Sequence, residues 1–243
     1  MPTLLNSIVL VTGANGGIGT QFVHDALERG AIKVYATART PRDWNDDRIV
    51  PLTLDVTDSR SIASAADTAS DVTVLINNAG ATPPSASLLD VTEADIRENF
   101  ETNFFGPVLL ARAFAPILAA RPGSALIDIH SVASWLAFGG AYSASKAALW
   151  SATNVLRVEL APRGVHVVGV HMGYVDTAMA AHAEGPKLTT EDLVRSVFDA
   201  VESDRFEVLA DEISHHAKNA LSQPAESVYA DLLTVAATRN AAS

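Results

Sequence analysis

Ser7-Ile8-Val9-Leu10-Val11-Thr12-Gly13-Ala14-Asn15-Gly16-Gly17-Ile18-Gly19 is the stretch whose reading decides the fold. Ser7 to Val11 is a nearly continuous apolar run, the pattern of a strand buried on both faces. Glycines follow at 13, 16, 17 and 19, and a helical pattern then runs from Ile18 to Arg29 until Gly30 ends it. A strand that passes through glycines into a helix aims free backbone N–H groups and the positive end of the helix dipole at one point, which suits a phosphate. Missing side chains let a diphosphate approach the backbone and let the helix pack close to the strand. Glycines 13, 17 and 19 give G-x-x-x-G-x-G, one residue longer than the G-x-G-x-x-G of most dinucleotide folds. For the glycines alone, a plain strand-to-helix turn is the competing reading.

Working outward, further strands are predicted at 34–37, 49–54, 72–76, 125–129, 165–170 and 206–209. Helices are predicted at 59–69, 92–120, 142–160, 190–203 and 225–238. The second of these is capped by Thr92 with Asp95 three residues on, and bent near Gly106-Pro107. Alternating strands and helices predict an α/β fold: a Rossmann-like, doubly wound parallel sheet of about seven strands with helices on both faces. The 243 residues suit a single dinucleotide-binding and catalytic domain spanning 1–243. A formal net charge of −11 argues against nucleic acid or an anionic membrane as partner. The absence of cysteine excludes disulfides, thiolate nucleophiles and cysteine-ligated zinc. Met1 to Leu10 lacks the basic start of a secretory signal, and no run of about 18 apolar residues occurs, so a cytoplasmic protein is the expectation.

Four ordered motifs resemble the short-chain dehydrogenase/reductase family over most of the chain. Thr12-Gly13-x-x-x-Gly17-x-Gly19 is similar to its cofactor motif, with Asn15, Gly16 and Ile18 inside the loop. Asp55 and Val56 fall where the family contacts the adenine ring. Asn77-Asn78-Ala79-Gly80 resembles its NNAG element, which lies beside the cofactor. Asn103, Ser131, Tyr142 and Lys146 fall where its catalytic tetrad falls.

The chemistry of these residue types agrees. Tyr142 and Lys146 are four apart at the start of a predicted helix and share a face. A free phenol titrates near about 10, and a nearby ammonium is expected to lower that, so Tyr142 can exchange a proton with a carbonyl or alcohol oxygen. Ser131 ends a strand at the edge where such folds bind ligands, and can hydrogen-bond the substrate oxygen. It stands 11 residues before Tyr142, about two fewer than the family's usual spacing, which reads as a shortened loop; Ser134 is a rival with a still smaller gap. By resemblance, Asn103 holds a water that links Lys146 to solvent. His130 replaces the residue that usually precedes the catalytic serine and either faces the substrate or packs beneath it. The seven histidines have no metal-ligand spacing, so no metal site is expected.

After the second strand the chain reads Tyr35-Ala36-Thr37-Ala38-Arg39, without the acid that would bond ribose hydroxyls. Arg39, aided by Arg42, can clasp a 2′-phosphate, which favours NADP(H), with NAD(H) as the alternative. Gly173-Tyr174-Val175-Asp176-Thr177 resembles the family's P-G-x-x-x-T segment with Met172 in place of proline; Gly173, Val175 and Thr177 are expected at the cofactor. Residues 178–188 read as a substrate lid or a surface loop, and Trp135, Leu136, Phe138, Tyr174 and Met179 as candidate pocket walls. The partner expected is a small carbonyl or alcohol substrate, in a homodimer or homotetramer. A catalytically silent dinucleotide-binding regulator and a nucleotide-sugar epimerase or dehydratase are the rival readings.

Overall fold

Alternate side chains of a strand turn to opposite faces, and the central strands use both. Val9 and Val11 enter one core with Phe22, Val23, Val197 and Phe198, whereas Leu10 between them enters the other with Leu110, Phe114 and Leu118. The computed structural model describes residues 2–230. Its strands are β1 (Ile8–Thr12), β2 (Lys33–Ala38), β3 (Ile49–Thr53), β4 (Val74–Asn77), β5 (Ala125–Ile129), β6 (His166–His171) and β7 (Glu207–Leu209). They pair in parallel in the order β3-β2-β1-β4-β5-β6-β7. This is the doubly wound α/β sheet that the alternation predicts.

Helices α1 (Gly17–Glu28) and α6 (Thr190–Glu202) cover one face, and α2 (Ser59–Thr68), α4 (Gly106–Ala119) and α5 (Ala141–Leu160) the other. Between β1 and β4 the chain leaves the sheet in opposite directions, and this divergence opens a crevice at the strands' carboxyl ends.

The helical region after Thr92 begins with the expected capping box between Thr92 and Asp95 and forms α3 (Glu93–Phe100). The bend lies earlier than expected, as a π turn over Glu101–Phe105. Pro107 has no N–H to give the Asn103 carbonyl four residues before it, and the Gly106 N–H bonds Glu101 five residues back instead. Gly106 also lets the helix touch the sheet: a Cβ there would sit 2.9 Å from the Val56 carbonyl oxygen. The whole stretch Glu93–Ala119 is long and apolar enough to cross a bilayer by length and composition, but Leu110, Ala111, Phe114 and Leu118 are spent on the core.

Other boundaries differ from the sequence reading by a residue or two. Helix α7 (Glu212–Ala220) was not expected; of the helix predicted at 225–238, α8 (Ala225–Val228) is seen and 231–238 lie outside the described residues. Phe22 and Phe198 meet edge-to-face with centroids 5.5 Å apart and no exposure. Phe198→Ala is therefore expected to lower stability by about 3–5 kcal/mol, read as a shifted urea midpoint at unchanged slope.

Candidate active site

The crevice is held open by backbone and side-chain bonds between the ends of β1 and β4. The Thr12 hydroxyl accepts the N–H groups of Asn78 and Ala79, each at 2.9 Å, and donates to the Ile76 carbonyl. The Asn78 amide donates in return to the carbonyls of Thr12 (2.8 Å) and Gly13 (3.3 Å). Gly13 takes φ +67°, which favours glycine, and a Cβ at Gly19 would lie 2.2 Å from the Gly13 oxygen. Gly16 begins α1 without a side-chain cap, so the first-turn N–H groups face the crevice unclaimed by any capping side chain. Ile18 packs partly against the core behind them.

At the outer end of this cradle, Asn15 donates to the Thr40 carbonyl and Arg42 to the Thr20 hydroxyl, tying the glycine loop to the segment after β2. Arg39 is exposed. The N–H and hydroxyl of Thr57 hold the Asp55 carboxyl below its usual range, with Arg39 adding a smaller electrostatic effect. Val56 lies under Gly106.

Ser131, just past β5, caps a short 3₁₀ turn over Val132–Ser134, its hydroxyl accepting the Ala133 N–H at 3.1 Å. The same hydroxyl lies near the Tyr142 phenol and acts to draw its pKa down. The short loop closes because Gly139 and Gly140 lead straight into α5: Gly140 has φ +55°, and a Cβ on it would lie 2.5 Å from the Ala86 carbonyl oxygen. Ser134 lies in this loop without a hydrogen-bond partner for its buried hydroxyl. Lys146, 4% exposed, donates to the Ile129 carbonyl at 2.7 Å, with its Nζ 5.8 Å from the Tyr142 ring centroid.

One expectation is corrected here. Burial pushes the Tyr142 phenol up; the lowering effect comes from the Ser131 hydroxyl, because the Lys146 ammonium is drawn to a carbonyl at the strand end. The Asn103 side chain is fully buried and committed: its oxygen accepts the Ala81 N–H, and its amide donates to Ala81, Asn99 and Ser145. That amide locks α5 to the loop after β4. Gly80 sits at this junction, where a Cβ would meet Asn103 Oδ1 at 3.4 Å and Lys146 Nζ at 3.7 Å.

Past β6, the Gly173 N–H donates to Asp211 at 2.7 Å. Val175 bridges to Leu188, so the ends of the 178–188 segment are fastened together. Thr177 comes to the start of α1, where a Cβ on Gly17 would touch its methyl group at 3.0 Å. Tyr174 is close enough to Tyr142 to disfavour its phenolate.

A family model described as short chain dehydrogenase matches residues 7–187. The chain is a short-chain dehydrogenase/reductase. It is 38% identical over 184 residues to the short-chain dehydrogenase PC-15 of Penicillium crustosum, covering 70% of this chain and 66% of that protein, so the chain spans just under two thirds of that relative's length. It is 36% identical over 188 residues to an NADPH-dependent 1-acyldihydroxyacetone phosphate reductase of Schizosaccharomyces pombe, covering 73% and 62%. A short-chain dehydrogenase from Burkholderia cenocepacia, solved with NADP, superposes with a TM-score of 0.88 at 34% identity over 95% of this chain and 99% of that one.

The cradle fits a dinucleotide: its glycines keep the strand-to-helix turn close-packed, and the uncapped helix start leaves its N–H groups to a diphosphate. Beside the site runs a groove of about 410 Å³, lined by Ala86, Leu88, Trp135, Leu136, Ala147 and Tyr229 among others. Of the candidate walls, Trp135 and Leu136 line it and Phe138, Tyr174 and Met179 do not. His130 packs beneath the site, buried. Sequence reasoning missed Asp211, whose bond to Gly173 braces the segment that carries Val175 and Thr177. Its signal is present: Asp211 and Ser214 form a capping box at the start of α7.

Burial lowers the Lys146 amine from 10.5 to about 8. The folded state therefore disfavours the ammonium that the unfolded chain carries up to 10.5. That penalty is full below pH 8 and lifts as pH rises from 8 to 10.5. Lys146→Met is expected to remove this rise, seen by comparing urea midpoints of the two proteins across that interval.

Proposed function

We propose that this short-chain dehydrogenase/reductase transfers a hydride between NADP(H) and a carbonyl or secondary-alcohol substrate, with Tyr142 as the acid/base. The observation that carries the reading is the convergence of Ser131, Tyr142 and Lys146 at one strand edge beside the glycine cradle. When bound, the nicotinamide supplies or takes the hydride. Residues of the first turn of α1, with Thr177, hold the diphosphate, and Asp55, Val56 and the Asn78-Ala79-Gly80 backbone border the nucleoside parts. Arg39 faces the adenosine ribose, where a guanidinium favours a 2′-phosphate and an acid would repel it. The NADP-bound Burkholderia relative and the NADPH-dependent yeast reductase support this preference.

In the reducing direction Ser131 orients the substrate oxygen, and Tyr142 Oη gives its proton to that oxygen as the carbon accepts the hydride, leaving an alcohol and a phenolate. The raised phenol suits a proton donor, because it stays protonated at neutral pH. Lys146 then faces a negative charge in place of a neutral ring. The apolar groove favours a carbonyl attached to an apolar or aromatic body, and residues 178–188 act as a lid over the substrate. Exposed Phe105, Val155 and Val158 on the π turn and α5 support pairing of two copies along these helices.

Tyr142→Phe is expected to cut turnover at least about 10²-fold while NADPH still binds, measured by fluorescence titration beside a ketone, aldehyde and alcohol panel followed at the reduced-nicotinamide band. An undiminished rate would remove Tyr142 as donor. Arg39→Asp is expected to reverse the ratio of efficiencies with NADPH and NADH; an unchanged ratio would rule out its role.

A further inference from the structure

Beneath Ser131 lies a chain of buried polar side chains that the proposed chemistry does not use. The Asn77 amide donates to Asp128 Oδ1 at 2.8 Å and to the Pro107 carbonyl. Asp128 Oδ2 lies 2.7 Å from Thr153 Oγ1, which lies 2.9 Å from His130 Nε2. His130 Nδ1 lies 3.1 Å from His171 Nε2, and His171 Nδ1 lies 3.3 Å from the Ser131 carbonyl oxygen. All four residues are buried. The space for the first ring is built in: a Cβ on Gly169 would lie 2.9 Å from His130 Cε1. Trp135 stacks on the second ring with centroids 3.7 Å apart. Thr153 stands seven residues after Lys146 on α5, so one helix face carries both the amine and this chain.

Counting protons fixes the direction of these bonds. The Ser131 carbonyl only accepts, so His171 Nδ1 must carry a hydrogen. A neutral His171 then accepts at Nε2, which requires His130 to be protonated at Nδ1 and to accept at Nε2. Thr153 must therefore donate to His130, and its oxygen can face Asp128 only if the acid carries a proton on Oδ2. The other arrangement that satisfies these ring and carboxyl contacts has the same number of protons but places a carboxylate at Asp128 and an imidazolium at His171; in both, the Leu149 carbonyl, 2.9 Å from Thr153 Oγ1, only shares the Thr153 proton.

We propose that Asp128, Thr153, His130 and His171 form a positioning relay for Ser131, held in the uncharged arrangement with the bonds running from the Asp128 acid to the Ser131 carbonyl. Separating charge across this core would cost more than it returns. Burial acts in the same direction on each group: it pushes the Asp128 acid up, His130 well down, and His171 down to about 3. The charges facing the relay are Lys146 and Arg157 on α5, Lys218 on α7 and Glu207 on β7, whose carboxylate is 3.9 Å from His171 and is itself paired with Lys218 at 2.8 Å. The relay fixes the Ser131 backbone and so aims its hydroxyl at the Tyr142 phenol. Its effect on turnover rests on the proposed role of Ser131; its proton arrangement does not.

The first test is nitrogen NMR of the histidine rings in the full-length protein, with and without NADP. Both His130 and His171 are expected as neutral rings protonated at Nδ1, without titration between about pH 6 and 8.5. A ring protonated at Nε2, or either ring titrating in that interval, would overturn the relay whatever the enzyme's activity. The second test is kinetic, with NADPH and a ketone that the wild type reduces. Thr153→Val is expected to lower kcat by about tenfold with the KM for NADPH unchanged, and Thr153→Ser to restore it. Full kcat in the valine variant, or no recovery in the serine variant, would refute positioning through Thr153.

Discussion

The site depends on one hydroxyl at the point where the sheet changes direction. Thr12 sits on the last turn of β1, and its oxygen takes the N–H groups of Asn78 and Ala79 just as β4 ends. Two strands whose chains depart to opposite sides would otherwise leave these backbone donors unpaired, at a cost of about 1–3 kcal/mol each. The same contact brings Gly13 and Gly80 to facing sides of the crevice. Gly80 touches the neighbourhood of Asn103 and Lys146, so the glycine cradle and α5 are referred to one reference point.

From that point the structure trades stability for chemistry. An amine buried at Lys146 is held by a carbonyl rather than by a close carboxylate. Tyr142 is half-buried beside the Ser131 hydroxyl. Both groups are thereby poised closer to neutrality than they would be in water, a familiar condition of acid–base sites. Asn103 contributes by holding helices and loop together; the amide of a residue often read for its chemistry is here spent on geometry.

Much of this was legible in the residues. The apolar run ending at Thr12, the glycines after it and the alternation of strands and helices carried the sheet, because burial on two faces and a helix start beside a phosphate leave a direct trace in composition. Tyr142 and Lys146 were legible through helical spacing. The missing parts depend on contacts distant in sequence. The commitment of Asn103 to Ala81, the pull of Ile129 on Lys146 and the brace from Asp211 to Gly173 join residues whose local patterns carry no mark of one another. The π turn was half legible: Pro107 announced a disturbance, but the extra residue is absorbed upstream of it, where the carbonyl lost its donor.

The press of Gly140 against the Ala86 carbonyl determines how the adjoining groove is able to vary. Its two banks meet backbone to backbone, and Ser143 stiffens the bank that carries Gly140 by accepting from Gly139 and donating to Leu136. The gap between the banks is thus a property of the main chain, indifferent to which rotamers line it. Alanines at 133, 137, 144 and 147 also face this space, and none of their side chains carries a hydrogen bond. Larger residues at those four places would reshape the interior without spreading its rims, so diversity in what the channel admits is confined to its upholstery while its frame stays constant.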